Sequence, residues 1–155
     1  MATDQEIIDI VLKAFAFEPR PQHFTNYLHC CECAEHNDLL ASRDLESLRL
    51  EDINNAGWDP ICFITEEGFR YYLPSLARFA LASSTSTDWY LPQLLFHLIG
   101  DGPQNRRVRC CSLPQKQVIT ALLWQVVETR SELIADYQIE EELQRAIEIW
   151  SDDTV

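Results

Sequence analysis

The sequence predicts a mainly α-helical chain folded as a single compact multi-helix domain over residues 1–155, with about five to seven helices and one of them kinked at Pro74. Three observations predict it. Apolar residues recur at three- and four-residue spacing along most of the chain, side chains that cap helices stand ahead of several of these stripes, and Pro or Gly follows where they stop. At 155 residues the chain is long enough to bury a core without covalent staples.

Thr3 and Glu6 form a capping box, and Ile7, Ile8, Val11, Leu12 and Phe15 follow at helical spacing. That first helix should end near Phe17, because Pro19 and Pro21 remove donors and extend the residues before them. Residues 23–55 read as helix through Phe24, Leu28, Cys31, Leu39 and Leu40, although no clean apolar stripe crosses the cysteines. Asn54 to Pro60 form a turn around Trp58, and Ile61-Cys62-Phe63-Ile64 is compatible with an extended segment.

Thr65 is the expected cap of the next helix, with Ile64 and Phe69 placed to close a hydrophobic staple. Its inner stripe is Phe69, Tyr72, Leu73, Leu76 and Ala80, and Pro74 within it should bend the rod. Ser83-Ser84-Thr85-Ser86-Thr87 reads as a polar linker. Leu91, Leu94, Leu95 and Leu98 then form a helix stopped by Gly100. From Ser112, with Pro114 in the first turn, Val118, Ile119, Leu122, Leu123, Val126 and Val127 make a long amphipathic helix. Ile139, Leu143, Ala146, Ile147 and Trp150 continue helically to the end.

Twelve basic against twenty-five acidic residues give a net charge of −13, which repels nucleic acid and anionic lipid and suits a protein partner of basic character. No apolar run approaches the length of a membrane span, and the acidic opening Asp4 to Asp9 is unlike an export signal, so the chain reads as cytoplasmic. The basic stretch Arg106-Arg107-Val108-Arg109 is expected to be a solvated loop facing acidic helices.

Glu67-Gly68-Phe69-Arg70-Tyr71-Tyr72-Leu73-Pro74, after Trp58-Asp59, resembles the centre of an uncharacterised bacterial domain family with no assigned activity. Leu95-Phe96-His97-Leu98 and Leu113-Pro114-Gln115-Lys116-Gln117 match its later pieces, so the resemblance covers roughly residues 58–130. It implies a helical fold and brings no catalytic residues with it.

The densest chemical cluster is His29-Cys30-Cys31-Glu32-Cys33-Ala34-Glu35-His36. Cys30 and Cys33 have the C-x-x-C spacing that lets two thiolates reach one zinc ion, with His36 or His29 as a third ligand. In a regular helix, His29, Glu32, Cys33 and His36 would instead share one face. The second knuckle of a zinc finger is missing, and Cys110-Cys111 is the only other thiol pair in the sequence to supply a fourth ligand. Buried inert thiols and a redox-active C-x-x-C compete with the metal reading. A cysteine hydrolase has little support, and the four glycines form no phosphate loop. Arg70 should pair with a carboxylate, and the aromatic residues should lie mostly in the core.

The functional expectation is a non-enzymatic, acidic interaction or regulatory module, zinc-stabilised through Cys30, Cys33, His36 and His29. A thiol-redox protein using Cys30 and Cys33, and a small metal-dependent enzyme with an open metal position in a pocket, are its rivals.

Overall fold

Thr3 caps α1 (Asp4–Ala14) by accepting the Glu6 N–H while the Glu6 carboxylate accepts the Thr3 N–H, so the expected capping box is present. The structure, a computed structural model, describes residues 1–82 and 89–152; the Ser83 to Thr87 segment lies outside them. The remaining helices are α2 (Cys31–Ala41), α3 (Leu50–Ile53), α4 (Glu66–Leu81), α5 (Leu91–Ile99), α6 (Arg106–Cys110), α7 (Leu113–Thr129), α8 (Ser131–Tyr137) and α9 (Glu140–Ser151). Three 3-10 turns, Ala56–Trp58, Pro60–Phe63 and Gly102–Gln104, join them.

The mainly helical class is observed, but nine α-helices occur among the described residues rather than five to seven. The additions are α3, α6 and α8, of 4, 5 and 7 residues, each too short to repeat an apolar stripe. Two further expectations change. Residues 23–55 hold α2 and α3 separated by turns, not one helical stretch. Residues Pro60–Phe63 form a 3-10 turn capped by Asp59, and only Ile64 is extended, bridging to Thr25 in an isolated antiparallel pair.

Thr65 caps α4 through the Gly68 N–H, and the helix continues through Pro74 to Leu81. Gly68 is required there, since a Cβ would stand 2.8 Å from Ile64 Cγ1 and 3.1 Å from the Phe24 ring. Ser112 and Gln115 make a second capping box at the start of α7.

The buried apolar side chains form one contiguous cluster. Helix α7 packs against both α1 and α9, while α4 contacts α1, α5 and α6. Phe69, Tyr72, Leu76, Leu94, Leu122 and Trp150 are among its fully buried members. The Trp150 indole donates to the Leu98 carbonyl at 3.0 Å, fixing α9 to the end of α5. Trp58 and Trp124 depart from the expected aromatic core, being 43 % and 48 % exposed. No helix among the described residues is long and apolar enough to cross a membrane.

Candidate functional site

Cys30 is where the extended chain turns into α2, and this placement follows from its neighbours. Asn37, buried on α2, accepts the backbone N–H groups of Phe24 (2.7 Å) and Thr25 (3.2 Å). Thr25 Oγ1 donates to the Cys33 carbonyl at 2.6 Å. The segment before the helix is thereby held along its side, and its last residue, Cys30, adopts an extended backbone as N-cap.

The Cys30 sulfur occupies the position that a Ser or Asp oxygen usually fills and accepts the Cys33 N–H at 3.4 Å. A thiolate accepts that bond better than a thiol does, and the positive end of the helix favours the same form. The Cys30 thiol is accordingly pushed down to about 7, chiefly by the Cys33 backbone N–H, then by His29 and the Cys33 thiol. Cys30 is exposed.

Cys33 is 4 % exposed, one turn behind. Burial and the neighbouring Cys30 push its thiol up. His29 Nδ1 lies 3.7 Å from Cys33 Sγ, and one donor atom each from His29, Cys30 and Cys33 falls within 4.8 Å of the others. Three of the four expected ligands are thus together.

His36 is elsewhere. Its ring is 1 % exposed and lies between Phe63, stacked at 5.3 Å, and Trp58 at 4.8 Å, with Nε2 3.1 Å from Glu32. Regular helix begins only at Cys31, so the single helical face that would have joined His29 to His36 does not form. Among the described residues, Cys110 and Cys111 enter neither group of gathered donors. They sit at the end of α6, where the Arg70 guanidinium reaches the Cys110 carbonyl at 3.4 Å and Glu18 at 2.9 Å, the carboxylate partner expected for Arg70.

A second constellation escaped the sequence reading. Asp59 and His97 are 3 % and 2 % exposed, and Asp59 Oδ2 meets His97 Nε2 at 2.7 Å. The same oxygen accepts from Gln93 Nε2 at 2.7 Å, while Oδ1 accepts the Ile61 N–H at 2.9 Å. The exposed Cys62 completes a group whose donor atoms lie within 4.8 Å. Asp-x-x-Cys was the available signal, but the histidine comes from α5, and nothing in sequence spacing links it to Asp59.

Arg107 also departs from expectation. Rather than lying in a solvated loop it belongs to α6, turns inward, donates to the Ile61 carbonyl at 2.8 Å and covers the Phe69 ring.

A model of a family described only as a family of unknown function (DUF6714) matches residues 3–154. No curated protein and no solved structure matches the chain.

Proposed function

Because the chain belongs to this family of unknown function, we propose from its own geometry that it is a non-enzymatic, redox-responsive helical module whose Cys30 and Cys33 cycle between dithiol and disulfide. One observation carries the reading: an exposed Cys30 sulfur caps α2 on the Cys33 N–H, with the buried Cys33 sulfur within 4.8 Å behind it. This divides the labour of a C-x-x-C pair between an accessible attacker and a shielded resolver.

The oxidant is a small-molecule or protein disulfide. The Cys30 thiolate attacks one of its sulfurs, forming a mixed disulfide and expelling the first half as a thiolate. Cys33 then surrenders its proton, with His29 Nδ1 at 3.7 Å as the adjacent acceptor, and attacks the Cys30 sulfur. The second half leaves as a thiolate, and the chain has lost two protons and two electrons to its partner. In the disulfide form the Cys30 sulfur carries no negative charge for the helix end. The N-cap bond weakens, and the start of α2 with the 24–30 segment reports the redox state to a partner of basic character.

Oxidation of the reduced chain should remove two hydrogen masses in a peptide containing both Cys30 and Cys33, and Cys30→Ser or Cys33→Ser should abolish that product. A wild-type chain that forms only mixed disulfides under the same conditions would overturn the reading.

A second reading rests on His29. With Cys30 and Cys33 it supplies two sulfur donors and one nitrogen, a set that zinc favours. Loss of about one zinc per chain in Cys30→Ser relative to wild type, measured after purification without chelator, would favour it over the redox cycle.

A further inference from the structure

The Asp59, Cys62 and His97 group stands apart from the dithiol and rests on different residues. We propose that it is a zinc site with three protein ligands, one from each side chain, and a fourth position open to the adjoining cleft.

The donor set comes first. One thiol, one imidazole and one carboxylate within 4.8 Å of each other form a mixed soft and borderline set, and zinc accepts all three. Two of the three are supplied by groups almost wholly removed from water, Asp59 and His97. The Asp59 carboxylate has the supports expected around a metal ligand. Gln93 holds the Asp59 carboxylate, the Ile61 N–H holds its other oxygen, and Asn105 Nδ2 donates to the His97 carbonyl at 2.8 Å to fix the end of α5.

The required movement is small. Bonds of about 2.0–2.2 Å at a tetrahedral centre place nitrogen and oxygen about 3.4 Å apart, so the 2.7 Å His97–Asp59 pair must open by about 0.7 Å. Cys62 is exposed, and its sulfur already lies within 4.8 Å of the other two donors.

The Tyr90 hydroxyl is buried without a hydrogen-bond partner, and Arg107 is committed to the Ile61 carbonyl at 2.8 Å.

Access comes from a cleft of about 490 Å³, whose walls include Asp59, Cys62 and Gln93 with Trp89, Pro92 and Phe96. The fourth position therefore faces a mostly apolar chamber, the arrangement of an exchangeable zinc ligand rather than a closed structural site.

The test uses Co²⁺ as the probe in the full-length chain carrying Cys30→Ser and Cys33→Ser, so that failure of the dithiol reading cannot influence the result. One Co²⁺ per chain with a thiolate-to-cobalt charge-transfer band is expected. Adding Cys62→Ser, an exposed position that leaves the packing intact, should remove the band. Adding His97→Gln should weaken Co²⁺ binding at least tenfold; if that variant does not fold, the Cys62→Ser comparison decides alone. Absence of a charge-transfer band in the double variant, or a band that survives Cys62→Ser, overturns the site.

Discussion

A disulfide reagent presented to the Cys33→Ser chain measures the Cys30 sulfur without interference, because the thiol that would expel the mixed disulfide is gone while the capping N–H of residue 33 remains. An ordinary thiol ionises at 9.0 and Cys30 at about 7. At pH 7 roughly half of Cys30 is therefore thiolate, against roughly one part in a hundred of an ordinary thiol, about a fifty-fold advantage. Nucleophilicity falls with basicity along a slope of about 0.4–0.5, which over this interval removes about a factor of eight. The net expectation is about sixfold faster exchange than the same cysteine in the denatured chain at pH 7. Above about pH 8 the order should reverse, since about a tenth or more of the ordinary thiol is then ionised and its thiolate is the stronger nucleophile. The assay is mass-resolved mixed-disulfide formation at Cys30 from pH 5 to 10, native against denatured. Parallel native and denatured profiles with no crossing would refute the claim that the helix cap holds the thiolate.

Asn37→Ala should strip two buried backbone N–H groups of their acceptor and cost about 2–4 kcal/mol, read as a fall in Tm by thermal denaturation. The same variant should slow Cys30 exchange at pH 7, because the segment that aims Cys30 at the helix end is no longer tethered. Gly68→Ala should destabilise by about 1–3 kcal/mol in urea titration, its Cβ colliding with Ile64 and Phe24. Burial alone would raise the Glu18 carboxyl, but hydrogen bonds from Gln115 and Arg70 overcome it and hold it below its ordinary 4.5. A depressed carboxyl stabilises the fold above pH 4.5 and ceases to as pH falls through its lower folded value. Acid unfolding of Arg70→Met should consequently show a shallower loss of stability below pH 4.5 than wild type, from a lower starting value.

Legibility in the sequence tracked how local each interaction is. Thr3 with Glu6, Thr65 with Gly68, and Ser112 with Gln115 act across three residues, and the helix starts they mark are where the sequence puts them. Gly100 closes α5 as expected. The short helices α3, α6 and α8 carry too few residues for periodicity to appear, and tertiary packing supplies what propensity does not. At the thiol cluster the spacing Cys30-x-x-Cys33 was readable, and His29 joined it. His36 did not, because burial between Trp58 and Phe63 is decided by residues more than twenty positions away. The Asp59–His97 pair spans 38 residues, so its existence depends on where α5 docks and no motif announces it.

Helix α1, which leaves the ribosome well before α7, takes its seat against it, and Gln125 reaches back across 123 residues to the Ala2 carbonyl while Arg130 clasps Asp4 at 2.8 Å. At about 5–20 residues per second, translation separates these partners by on the order of ten seconds. Throughout that interval the stripe of Ile7, Val11 and Phe15 has no α7 to cover it. The nascent chain must then keep a greasy helix waiting, and chaperone capture should concentrate on α1 until Arg130 emerges.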